Sequence, residues 1–227
     1  MLTLYTAVGH LTLKKGQNKK EYPIILIDRQ EYALVPEELV LWSSLAFQIL
    51  TLEELKTAYQ EGIERQGLSS AGSFEYFLRR LLLRELIADG SGLTGVDALY
   101  RLLGGLYIQP TKNTAFLRLF TCIRLYANGK LPLSQFQGRL KKPENTKLEK
   151  LVLELSGTLS FSVAELLSYV EMNSPLPPQK ALQELYDSTE ETCDTLAEKV
   201  QIHKTQLPVL QAIGNLYLQK QILFNKF

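Results

Sequence analysis

The chain has 227 residues, 45% hydrophobic and 22% charged, enough to bury one large core or two modest ones. Apolar runs such as "PIILI" fall far short of the ~18 residues of a membrane span, and no basic region precedes the apolar start of "MLTLYTAVGHLTLKK", which argues against a secretory signal. The net charge of +1 hides a division. Residues 1–110 carry 11 Lys and Arg against 13 Asp and Glu, residues 111–150 carry nine against two, and residues 151–227 carry five against nine. Only the middle segment presents a field that attracts a polyanion.

In chain order, "LTLYTAV" and "HLTL" read as short strands. "YPIILIDRQEYAL" reads as two β-rich runs around a turn at Asp28-Arg29-Gln30. The period changes at Pro36. "PEELVLWSSLAFQI" opens with Pro and two acids, the composition of a helix's first turn. "TLEELKTAYQEGIERQG" has Thr51 as N-cap, Glu54 completing a capping box and Gly67 as a stop. "SFEYFLRRLLLRELI" is capped by Ser73, with Phe74, Phe77, Leu78, Leu81, Leu82 and Leu86 at core-facing helical spacing.

"GSGLTG", Gly90 to Gly95, matches the dinucleotide fingerprint letter for letter. That chemistry needs a preceding strand and an acid ~20 residues on for the ribose. Only "LIA" precedes, and no Asp or Glu lies between Asp97 and Glu144. The glycines are expected instead to form a tight turn through positive φ, with Thr94 and Asp97 capping the helix "VDALYRLLGGLYI". "GIERQGLS" has the spacing of a P-loop but Leu68 in place of its lysine.

The second half is nearly all helical: "AFLRLFTCIRLYANG", two short helices broken at Lys142-Pro143, "FSVAELLSYVEM", "QKALQELYDS" and "TQLPVLQAIGNLYLQ". In the last, Val209, Leu210, Ile213, Leu216 and Tyr217 form a buried stripe that leaves Gln206, Gln211, Asn215 and Gln219 outward.

Catalytic constellations are thin. His10 and His203 have no ligand-spaced neighbours, Cys122 and Cys193 lie far apart, and no nucleophile elbow occurs. The acids of "DSTEETCD" suit helix caps. We therefore expect a non-enzymatic cytoplasmic protein without metal or cofactor; two lone cysteines fit a reducing compartment.

The two ends repeat a pattern. "TLEEL" and "TLAEKV" each open a short helix; "RLLLRELI" and "NLYLQKQIL" each close a longer one and enter a short apolar run. On these segments the chain resembles the winged helix-turn-helix superfamily. Residues 22–88 are similar to the small peptide-binding chaperones of the pyrroloquinoline quinone pathway and related leader-peptide recognition domains. Residues 158–224 resemble a winged helix of bacterial transcription regulators.

The expected fold is α+β, mainly α with a small N-terminal β portion: a winged-helix-like unit over 1–110, a basic helical connector over 111–157 and a second unit over 158–227. The resemblance implies a DNA-binding regulator reading double-stranded DNA, with a homodimer on palindromic sites. Arg79, Arg80 and Arg84, then Lys204, Gln206, Gln211 and Asn215, are its candidate contacts, with Lys141 and Lys142 on phosphates. Glu75 ahead of Arg79, and solvated Arg80 and Arg84, are the plain surface reading. The alternative partner is a protein or peptide added as a strand along the hairpin edge at Ile24, Ile25, Leu26 and Ile27.

Overall fold

The computed structural model describes residues 1–15, 21–68, 72–111, 144–172, 176–189, 192, 196–197 and 206–226. Among these the chain forms eight helices and three small antiparallel sheets, a mixed α+β architecture.

The first sheet has β1 (Leu2–Ala7) at its centre, between β5 (Leu50–Thr51) and β6 (Ile87–Gly92). Around it pack α1 (Pro36–Leu45), α2 (Leu52–Gln66) and α3 (Phe74–Leu83). Their ends follow the sequence signals. Thr51 accepts from Glu54 N–H while the Glu54 carboxylate accepts from Thr51 N–H, Ser73 accepts from Tyr76 N–H, and α2 stops at Gly67 with φ 62°.

The last sheet repeats this plan. β7 (Tyr107–Pro110) lies between β8 (Phe161–Ser162) and β9 (Ile222–Asn225). The helices are α5 (Lys147–Thr158), α6 (Val163–Met172), α7 (Pro178–Thr189) and α8 (Leu207–Leu218). Corresponding residues pair alike. Leu4 faces Thr51 and Ala7 faces Ile87; Tyr107 faces Ser162 and Pro110 faces Ile222. Val8 N–H donates to Leu86 O at 3.0 Å, and Thr111 N–H to Gln221 O at 2.9 Å.

After α3 the chain turns through Glu85 at φ 56°, and after α8 through Lys220 at φ 61°. Non-glycine residues enter that region at a cost of roughly 1–2 kcal/mol. In both turns the next N–H then returns to the helix, Leu86 to Leu81 O and Gln221 to Leu216 O. The two halves thus share a three-stranded sheet centred on its first strand and a helix that ends in a left-handed turn before the last strand. Tyr107–Pro110, placed in the first unit by the sequence, is the central strand of the second sheet, and α5 packs on α8 within that second unit.

The terminal similarity of "RLLLRELI" and "NLYLQKQIL" is this repeat. The counterpart of "TLEEL" differs from expectation. Ser162 and Glu165 form the matching reciprocal cap at the start of α6, with Ser162 N–H to Glu165 at 2.7 Å and Glu165 N–H to Ser162 at 3.1 Å.

Between its central strand and first helix, the first unit inserts a meander of β2 (His10–Lys15), β3 (Glu21–Ile27) and β4 (Gln30–Ala33). The connection between the units is α4 (Gly95–Leu103), packed across β1 and β6. Its approach explains the glycine motif. Gly90 and Gly92 lie in β6 at negative φ, so they are not the positive-φ turn expected. A Cβ on Gly90 would sit 2.1 Å from Leu102 N, and one on Gly92 2.4 Å from Ala98 N. The glycines let a helix lie flat on a strand. Thr94 and Asp97 cap α4 as expected, with Asp97 N–H donating to Thr94 at 3.1 Å.

One apolar cluster runs through both units, from Tyr5 and Trp42 to Tyr217 and Phe224. Tyr217 joins them. Its buried hydroxyl lies 2.9 Å from Thr6 Oγ1, accepts from Phe47 N–H at 3.0 Å and donates to Leu45 O at 3.2 Å.

Candidate functional site

The helices singled out for recognition, α3 and α8, are anchored through one equivalent position, the third residue of each unit's first helix. In α1 this is Glu38, exposed to only 1%. Its carboxylate accepts from Val35 N–H at 3.2 Å and faces Arg80 Nε at 3.1 Å and Arg84 Nη1 at 3.3 Å. Removing a carboxylate from water costs several kcal/mol unless it is paired, and two guanidinium groups pair it here. Arg84 also donates to Ala33 O at 2.9 Å and stacks over Tyr32. Arg80 and Arg84 are therefore braces between α3 and α1, rather than solvated side chains one turn apart. Arg79 is exposed. Glu75, expected beside it, pairs with Lys56 at 3.6 Å.

In α5 the position is Glu149, exposed to 3%. It accepts from Thr146 N–H at 2.8 Å and from the Asn215 amide at 3.4 Å. Asn215 occupies the place of Arg80 in the repeat. Gln206, expected outward, is buried and donates to Glu171 at 2.5 Å; it precedes α8, where the chain is drawn against α6. Gln211 is exposed. Lys141, Lys142 and Lys204 lie outside the described residues, as do Cys122, Cys193 and His203.

What α3 and α8 share on their outward faces is apolar. Leu83 is 75% exposed and Leu218, its counterpart, 54%. Tyr76 on α3 is also exposed, with Arg80 over its ring. Sequence reasoning missed this pair of leucines because it looked on these helices only for hydrogen-bonding groups.

The meander gives a second surface. Ile24 to Ile27 do not form an edge: β3 is the middle strand, with Ile24–Ile27 paired to Gln30–Ala33 on one side and Ile24–Leu26 to His10–Thr12 on the other. Among the described residues the edges are β2 and β4. Asp28 and Arg29 both have positive φ, 39° and 67°, the mark of a two-residue type I′ turn. Such a turn makes Ile27 and Gln30 a hydrogen-bonded pair, and bonding alternates along the strand. Ile25 and Ile27 therefore point their peptide groups to β4, and Ile24 and Leu26 point theirs to β2. Through the β2–β3 register, His10, Thr12 and Lys14 bond inward, and Leu11, Leu13 and Lys15 turn their N–H and C=O groups outward.

Leu11 and Leu13 are also exposed in their side chains, at 46% and 61%. Lys14 forms an ion pair with Glu31 that raises its pKa, chiefly through that hydrogen bond. Burial lowers the pKa of His10, so the charge of this strand at neutral pH resides in its lysines.

No group of three His, Cys, Asp or Glu able to hold a metal occurs among the described residues. The clefts found there are grooves on the first unit. One, between α2 and α3, is lined by Tyr59, Ile63 and Phe74 with Lys56 and Glu75 paired beside it. No described helix is long and apolar enough to cross a membrane. No protein-family model matches the chain, and neither a curated protein nor a solved structure is significantly similar to it.

Proposed function

We propose that the chain is a non-enzymatic adaptor that binds protein, built from two winged-helix-like units. The order helix, short strand, helix, helix, strand supports this description of the first unit, and the second follows it with α7 added between α6 and α8. In place of a wing turning back from the last strand, each unit uses a strand that precedes its helices, β1 or β7. β6 passes through Leu93 and Thr94 directly into α4, so the first unit has no projecting wing to straddle a phosphate backbone.

The observation that carries the reading is the commitment of Arg80 and Arg84 to buried Glu38. Guanidinium groups paired in this way are less available to guanine edges or phosphates than free ones. The outward surface of the same helix offers Tyr76 and Leu83, and α8 offers Leu218. Aromatic and apolar groups of this kind are enriched in the buried centre of protein interfaces.

A second reading, a DNA-binding regulator, is favoured by exposed Arg79 and by the seven positive charges in excess over residues 111–150. The experiment separating them is retention of sheared genomic duplex DNA by the purified chain, at low and at physiological salt with competitor. The adaptor reading expects no retention at physiological salt. Enrichment of a few loci that survives there, and is lost in Arg79→Ala, establishes the regulator instead.

A further inference from the structure

We infer that the edge of β2, unpaired among the described residues, is a docking site for an extended, acidic segment of another protein, which joins the meander as a fourth strand antiparallel to β2. This rests on the adaptor reading above and names where and what the adaptor binds.

Three observations converge on β2. The peptide groups of Leu11, Leu13 and Lys15 face outward in the register set by the Asp28-Arg29 turn. Unpaired strand edges are templates for another strand, because main-chain hydrogen bonds supply affinity that does not depend on sequence. The other edge of the meander is partly occupied, since Arg84 donates to Ala33 O on β4. At its start β2 is also closed, with Gly9 N–H donating to Phe224 O at 2.8 Å. The accessible stretch therefore begins at Leu11.

Side chains define the occupant. Residues directly opposite one another in an antiparallel pair share a face of the sheet. A partner strand thus meets Leu11, Leu13 and Lys15 on one face, and apolar side chains opposite the leucines bury them. An acid opposite Lys15 is favoured, since it would place the ammonium between a carboxylate of the partner strand and Glu21, its neighbour on β3. Because the strands run in opposite directions, the partner reads acid, any, apolar, any, apolar from its N-terminal end. A second copy of β2 is a poor occupant. Self-pairing about Leu13 sets Lys15 against Leu11 and Lys14 against Thr12, and it brings four lysines along one short ladder.

The test uses the full chain, labelled with nitrogen-15, and a blocked synthetic heptapeptide of alternating threonine and valine with two glutamates at its N-terminal end. A control peptide carries lysines in place of the glutamates. The expected result is at least about tenfold slower amide exchange at Leu11, Leu13 and Lys15 with the glutamate peptide alone, and no change at inward-bonded Thr12. Lys15→Glu should reverse the peptide preference without affecting the fold. Leu13→Pro should abolish binding by removing one outward N–H while leaving the β2–β3 ladder intact.

Equal protection by both peptides, or none at millimolar peptide, overturns the inference. So does protection already present in a chain that sediments as a dimer, which assigns the edge to a second copy. The adaptor reading fails separately, by retention of duplex DNA at physiological salt, whichever way the peptides behave.

Discussion

Helices α3 and α8, each entering the last strand of its sheet, sit in equivalent places but are anchored by different chemistry. In the first unit a buried carboxylate meets two guanidinium groups; in the second it meets a carboxamide and its own helix's N-terminal N–H. Position, main-chain register and the left-handed turn that follows the helix are all shared. The repeat is therefore carried by backbone geometry and by one glutamate at the third position of the first helix, while its partner varies. The comparison teaches that a charge on a helix in this place need not be a recognition group. Arg80 resembles a DNA contact by position, yet its neutral counterpart Asn215 performs the same bracing task.

The largest expected effect breaks this equivalence. Glu38→Ala removes the buried partner of two half-exposed arginines and should cost about 2–3 kcal/mol in urea unfolding. Glu149→Ala, which loses only uncharged donors, should cost about 1–2 kcal/mol. Equal losses would show that the charge of Arg80 and Arg84 contributes nothing to the brace.

Gly90→Ala comes next. Its Cβ would strike the α4 backbone at 2.1 Å, and separating α4 from β6 should cost about 2–3 kcal/mol. The second unit carries Asn225 at the matching place in β9 and tolerates a side chain there, since no helix equivalent to α4 covers it among the described residues.

Tyr217→Phe tests the link between the units. Loss of the hydroxyl leaves Phe47 N–H without its acceptor and should cost about 1–2 kcal/mol. Burial pushes the Tyr217 pKa up to about 12. Its folded value then lies above the unfolded value near 10, so its contribution is whole below pH 10 and declines as pH climbs toward 12. The urea midpoint of the wild type should consequently fall more between pH 9.5 and about 11.5 than that of Tyr217→Phe. Parallel curves would assign the alkaline loss to other groups.

The smallest effect has the opposite sign. Gly214 lies inside α8, where a Cβ meets nothing within 4 Å. Gly214→Ala should therefore stabilise the chain by about 1 kcal/mol, readable as a higher midpoint at unchanged slope.

Local signals in the sequence were readable where local chemistry decides the structure. The caps at Thr51, Ser73 and Thr94 and the turn at Asp28-Arg29 lie where their residue types place them. The apolar stripes of α3 and α8 are buried as their spacing implies. What escaped depends on distant neighbours. "IADGSG" has poor strand propensity, and it becomes β6 because β1 pairs along its whole length. Ile24–Ile27 is the most β-prone run in the chain and for that reason lies in the middle of its sheet, leaving the less apolar "HLTLKK" as the edge. Gln206 and Arg80 look like surface groups by type; Glu171 and Glu38, many residues away, draw them inward.

The placement of β1 at the centre of its sheet also sets an order of events during synthesis. Thr3 hydrogen-bonds Ser91, 88 residues later in the chain, and at ribosomal rates that partner emerges roughly 4–18 s after it. Until β5 emerges both edges of "LTLYTA" are unsatisfied, and the edge that β6 fills stays open for the whole interval, next to an apolar meander that can fold locally. The second sheet repeats the delay, with β7 waiting for β9. A chaperone that shields the growing end therefore acts on the step from which these two sheets are assembled, and slow translation through residues 87–92 prolongs it for the first of them.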